Sequence, residues 1–149
     1  MLMDNTVKVR KLDGRAVIPT RGSEYSAGAD LYAVAEAPVV IAPGETAFIH
    51  TGLAVEIPVG WAGLVYARSG LASKSGLAPA NKVGVVDPDY RGELMVALHN
   101  HSAEARTVAH GDRIAQLVIT PYLPVVFEEA EELSDTARGE GGFGSTGSK

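Results

Sequence analysis

Five stretches of this chain carry polar groups that a β-core does not require, and two of them have donors suited to an anion. The most unusual is "RGEGGFGSTG", residues 138–147, with five glycines in ten residues and Phe143 among them. Gly139, Gly141 and Gly144 match G-x-G-x-x-G, and residues 142–147 have the glycine spacing of a Walker loop. Neither template holds, because each motif has to follow a strand and open a helix whose N-terminus receives the phosphate. Only Ser148 and Lys149 follow, and Ser148 stands where the Walker lysine is required. A plain Gly/Ser tail would be disordered, but such a spacer has no need of Arg138, Phe143 or the Ser145-Thr146 pair. Glycine permits positive φ, so successive N–H groups can point at one anion while hydroxyls and a guanidinium add donors. The tail therefore has the makings of half a phosphate site.

The other half has to lie upstream, where four stretches hold more polar chemistry than a β-core requires. "AGADLYA" (27–33) sets Asp30 between small and apolar residues, and "ARSGLAS" (67–73) puts Arg68, Ser69 and Gly70 straight after an apolar run. An Arg-Ser-Gly turn offers a guanidinium fork, a hydroxyl and a free backbone N–H to a phosphate. "NKVGVVDPDYRGE" (81–93) and "GDRIAQL" (111–117) complete the set. Taken singly each has a dull explanation, since Asp-Pro and Arg-Gly are ordinary turns and Gln116 can face solvent from a strand.

The elements that must position these residues read as short strands. "VKVRKL" (7–12) alternates, "ETAFIHTGLAVEIP" (45–58) holds one or two strands, and "GWAGLVYA" (60–67) is apolar and bounded by glycine. "GELMVALHN" (92–100) and "RIAQLVITPYLPVVFEE" (113–129) are strand-like too, the latter rich in β-branched and aromatic residues. Pro43-Gly44, Pro58 to Gly60, Asp87-Pro88, Arg91-Gly92 and Gly111-Asp112 punctuate them. Such spacing predicts an all-β fold, a sandwich, jelly roll or barrel, with one short helical candidate at "SGLASKSG". The core pattern gives way near residue 134, so residues 1–134 are expected to form the β-domain and 135–149 a flexible Gly-rich arm.

Composition narrows the partners. With 149 residues and 46% hydrophobic content, the chain can build one ordinary core. A formal net charge of −5 argues against extended contact with a nucleic-acid backbone or an anionic membrane. An anionic ligand must then be met by a local cluster or a metal ion. No cysteine is present, which excludes disulfides, thiolate zinc sites and a thiol nucleophile. No apolar run approaches a signal core or a membrane span, which implies a soluble, cytoplasmic protein. His99 and His101 would share a strand face, but two imidazoles without an evident third ligand make a poor zinc site.

In their order and approximate spacing, the five stretches resemble the five motifs of the trimeric deoxyuridine triphosphatases (dUTPases), from about residue 25 to 147. One departure is visible: Ala67 stands where the second motif usually has proline. The resemblance implies a jelly-roll-like fold, a homotrimer, and active sites at subunit contacts, each closed by the arm of another subunit. About 12 residues of extended chain span about 40 Å, enough to reach a neighbour. It also implies hydrolysis of dUTP to dUMP and pyrophosphate, with Asp87 activating the attacking water and lying near the sugar 3′-hydroxyl. Asp30 would hold Mg²⁺ through water. Arg68, Ser69, Gly70 and Gln116 would bind phosphates from the core, and Arg138, Gly144, Ser145 and Thr146 from the arm. Asn81, with the backbone at Val85 and Val86, would read uracil; Tyr90 would press on the deoxyribose and Phe143 would stack over the base. Met95 falls where the family makes a further substrate contact, although a core methionine fits the residue equally well. Two other readings stay open: a dCTP deaminase of the same fold, which would need a glutamate-like acid/base group where Asp87 stands, and a non-catalytic nucleotide-binding trimer.

Overall fold

The computed structural model describes residues 5–147. In chain order these form β1 (Lys8–Lys11), β2 (Ala29–Tyr32), β3 (Val39–Ile41), β4 (Thr46–His50), β5 (Leu53–Glu56) and β6 (Trp61–Tyr66). A short helix α1 (Ser69–Ser75) precedes β7 (Leu77–Pro79), β8 (Gly84–Val86), β9 (Met95–Asn100), β10 (Arg106–Val108) and β11 (Arg113–Pro121). All pairings are antiparallel, in the orders β2-β11-β6-β8, β4-β9-β7, β1-β5 and β10-β3. This is the expected jelly-roll-like β-sandwich. None of the helices among the described residues is long and apolar enough to cross a membrane.

Side-chain alternation builds the core. In β9, Val96, Leu98 and Asn100 point inward while Met95, Ala97 and His99 take the other face. Leu31, Ile41, Ile49, Val55, Val108 and Ile114 join Val96 and Leu98 in the core between the sheets. The stretch 45–58 divides into β4 and β5 at the Thr51-Gly52 turn, and 113–129 yields a strand only as far as Pro121. Pro121 and Pro124 lack the N–H that a ladder requires, so the chain beyond β11 runs without a sheet partner. Leu123, Val126 and Phe127 there are almost fully exposed. Helix α1 is brief because Gly76 closes it in the left-handed conformation, φ 69°.

One buried polar residue is fully satisfied and holds two loops. Asn100 Nδ2 donates to the carbonyls of Ile41 (2.9 Å) and Glu104 (2.7 Å), and its Oδ1 accepts from the N–H (2.9 Å) and hydroxyl (2.7 Å) of Ser102. Asn100→Ala leaves these groups, the buried Ile41 carbonyl among them, without their partner. The expected cost is about 2–3 kcal/mol, read as a lower urea midpoint at unchanged slope.

Candidate active site

The four-stranded sheet places the core residues expected to meet phosphate at one side. Asp30 on β2, Gln116 on β11 and Tyr66 on β6 form one row across it, and Arg68 follows two residues after Tyr66. Arg68 Nε donates to Asp30 Oδ1 at 2.8 Å, with both side chains mostly buried. Gln116 Nε2 donates to the Ala67 carbonyl at 2.8 Å, pinning the turn that carries Arg68, Ser69 and Gly70. Ser69 and Gly70 open α1, where the first N–H groups have no intrahelical acceptor. Together with Gly22, Ser26, Ala27 and Gly28 these residues line a hollow of about 410 Å³. Gly28 leaves room for the Gln116 amide there: a Cβ would sit 2.1 Å from its Oε1 and force that side chain to shift.

A second arginine joins this group that the sequence reading had passed over. Arg113 Nη1 lies 3.6 Å from Asp30 Oδ2. Strict alternation would set residues 113 and 116 on opposite faces, but the β2-β11 register shifts between Arg113 and Ala115. The extra residue of this bulge reverses the parity, so both side chains lie on the face that carries Asp30. Two consecutive buried apolar residues, Ile114 and Ala115, are the sequence trace of that bulge.

The base-type residues gather elsewhere. Asn81, Val85, Val86, Asp87, Tyr90 and Met95 line a hollow of about 330 Å³, along with Phe48, Pro79, Gly84, Glu93 and Ala97. β8 is one of the two edge strands of its sheet, bonded to β6 on one side only. An edge strand presents free N–H and C=O groups, which here belong to the segment around Val85. Val85 is exposed and Val86 is buried at 8%, as alternation requires. Met95 is 46% exposed and faces this hollow, so the core reading of that residue is set aside. Asp87 is exposed at the end of β8.

The two hollows have no lining residue in common. One chain therefore assembles the predicted residues as two groups. The arm joins neither: among the described residues its hydrogen bonds run within itself, including Arg138 Nε to the Gly141 carbonyl (2.7 Å) and Gly139 N–H to Thr136 Oγ1 (3.1 Å). Phe143 has φ 50° and a fully exposed ring, and Ser145 donates its N–H to Gly142. Thr146 and Gly144 lie in the same chain of turns.

His99 and His101 line neither hollow. His99 and His101 meet edge to face at 4.5 Å, and His99 Nδ1 bonds Thr46 Oγ1 at 2.8 Å. Desolvation, then Lys82 and His99, hold the His101 imidazole below its ordinary pKa. No cluster of three His, Asp or Glu that could hold a metal ion occurs among the described residues. Asp30 stands as a single carboxylate beside Gln116, with Arg68 at one oxygen and Arg113 near the other. That donor set suits Mg²⁺, which keeps several waters and uses one or two carboxylates with substrate phosphates.

The dUTPase family model matches residues 14–147. The chain is 49% identical over 142 residues to a deoxyuridine 5′-triphosphate nucleotidohydrolase of Syntrophotalea carbinolica, covering 95% of this chain and 97% of that protein. A protein of the same name from Corynebacterium glutamicum is 48% identical over 142 residues, covering 95% and 94%. Among solved structures, the dUTPase of Staphylococcus bacteriophage 80alpha with dUPNHPP superposes with a TM-score of 0.85 at 33% identity, covering 96% of this chain and 99% of that one. A mutant dUTPase from phage phi11 of S. aureus, which reveals the coordination of a structural Mg(II) ion, gives a TM-score of 0.76 at 31% identity, covering 86% and 98%. A match over nearly the whole chain, at this identity and with this fold, has one conclusion: the chain belongs to the dUTPase family.

Proposed function

We propose that this protein hydrolyses dUTP to dUMP and pyrophosphate, which limits uracil incorporation into DNA and supplies dUMP. The observation that carries the reading is the separation of two chemistries into two hollows, one lined by glycines around the Asp30–Arg68 pair, the other a strand edge flanked by Asn81, Tyr90 and Asp87.

The triphosphate lies against Arg68, Ser69, Gly70 and Gln116. Arg68 gives its Nε to Asp30, which leaves the terminal Nη groups of the fork for a phosphate. Asp30 would hold Mg²⁺, which would supply positive charge to offset that of the triphosphate when bound. The backbone of β8 at Val85 and Val86, with the Asn81 amide, pairs with the uracil edge. Cytosine offers a donor where uracil offers an acceptor, and an unpaired buried edge rejects such a ligand by about 10⁴- to 10⁵-fold. The strand also leaves no room for the methyl of thymine. Tyr90 covers the deoxyribose and excludes a 2′-hydroxyl, and Met95 adds an apolar contact.

Asp87 accepts a proton from a water whose oxygen attacks the α-phosphorus in line. The new P–O bond forms as the bond to the bridging oxygen of the β-phosphate breaks, and that oxygen leaves with pyrophosphate. Arg68 and the N–H groups that open α1 stabilise the charge that the leaving group gains.

A homotrimer accounts for the divided site, the phosphate hollow of one subunit facing the base hollow of another. The nearly bare Leu123, Val126 and Phe127 fit burial by a neighbour. The arm of a further subunit, residues 135–149, then closes the site, with Phe143 stacking over uracil and Arg138, Gly144, Ser145 and Thr146 adding phosphate donors. A cytoplasmic location belongs to the same proposal. The test is a product assay with Mg²⁺ and, separately, dUTP, dCTP, dTTP and UTP. Pyrophosphate from dUTP alone is expected; ammonia from dCTP would favour the deaminase, and silence with all four would favour a binding module.

A further inference from the structure

Glu93 lines the base hollow, but the mechanism gives its carboxylate no task. The structure spends that carboxylate on the turn between β4 and β5. Oε1 accepts the Gly52 N–H at 2.9 Å, and Oε2 lies 2.7 Å from His50 Nδ1. The His50 ring is 59% exposed, so that pairing adds little. Gly52 is buried, and a buried N–H that loses its acceptor bears the full desolvation cost. The chain after Glu93 is tied to the same turn, because Leu94 N–H donates to the Leu53 carbonyl and the fully buried Thr51 hydroxyl donates to the Leu94 carbonyl. Glu93 is therefore fixed to a rigid part of the core.

Its main chain in turn holds Tyr90. The Tyr90 hydroxyl donates to the Glu93 carbonyl at 2.9 Å. Gly92 makes this approach possible, since a Cβ there would lie 2.4 Å from the Tyr90 hydroxyl oxygen. Tyr90 is 46% exposed, so packing alone does not settle its ring.

We infer that Glu93 is a positioning residue for sugar selection: anchored on Gly52, it fixes the carbonyl that fixes the Tyr90 hydroxyl, and so sets the ring against the sugar. The inference rests on the proposed role of Tyr90 as the sugar platform. The measurement is kcat/KM for dUTP and for UTP, taken as a ratio on the full-length protein with Mg²⁺. Glu93→Ala is expected to lower the preference for dUTP about tenfold. Glu93→Gln keeps an oxygen for the Gly52 N–H and restores most of it. Tyr90→Phe, a change at a half-exposed ring that leaves the core intact, should lose a similar amount. The double variant Tyr90→Phe/Glu93→Ala should lose no more than the larger single effect, because both break one chain of contacts. A merely structural Glu93 would depress both nucleotides together and leave the ratio alone. An unchanged ratio in Glu93→Ala, or additive losses in the double variant, would overturn the inference. Tyr90→Ala separates the two layers: a collapsed ratio there with none in Glu93→Ala sinks only the role of Glu93, whereas an unchanged ratio sinks the sugar platform and the inference with it.

Discussion

Asp87→Asn should lower kcat for dUTP by about 10²- to 10⁴-fold, the usual worth of a positioned general base. The substitution keeps size and hydrogen-bonding capacity, so substrate affinity should hold. What it removes is a group able to take a proton from water at neutral pH. Asp87 is suited to this change because it is exposed at the end of β8 and carries no core contact that its loss would disturb. Stopped turnover with dUTP binding intact, measured by single-turnover kinetics and by calorimetry with a non-hydrolysable analogue, is the expected pair of results. Unchanged turnover would remove Asp87 from the chemistry. The same variant tests the deaminase reading, since ammonia release from dCTP that survived it would require another acid/base group.

Deleting residues 138–149 should cost about 10³-fold in kcat/KM while leaving oligomeric state and stability in place. The estimate combines one base-stacking contact, worth about 1–3 kcal/mol, with charge-assisted bonds from Arg138 at about 1.5–3 kcal/mol. At 1.36 kcal/mol per factor of ten, a combined loss of about 4 kcal/mol gives that figure. The fold supports the expectation of retained stability. Phe143 is fully exposed, and among the described residues the arm bonds only to itself. Sedimentation and thermal melting would check the intact assembly. Retained activity after the deletion would overturn the closing role of the arm; a dissociated assembly would show that the arm is structural instead.

The positions of most strands were legible because their signal is local. Alternation in 92–100 and the β-branched run from 113 announce β9 and β11, and turn residues mark their ends. β2, β3, β7, β8 and β10 are only three or four residues long, two of them carrying Gly84 or Pro79, and give too little pattern to stand out from loops. β8 was reached only through the family resemblance, as the strand beside uracil. The site residues were legible by type, since Arg-Ser-Gly, Asp-Pro and a glycine-rich tail each advertise unusual local chemistry.

Taken alone, the sequence determined that the chain has a β-core, an acidic surface, no thiol chemistry, and five polar stretches matching one family's motifs. These depend on residue type and on neighbours a few positions away. Only the tertiary structure decided which of the polar groups meet. Arg113 reaches Asp30 through a bulge in β11, across more than 80 residues of chain. Glu93 finds Gly52, and through its carbonyl Tyr90, because β4, β5 and β9 converge on one buried turn. The division of the site into two hollows follows from sheet order, with β2 and β11 at one side and β8 at the other. Register and sheet order are set by packing between strands distant in the chain, so no local pattern of side chains encodes them.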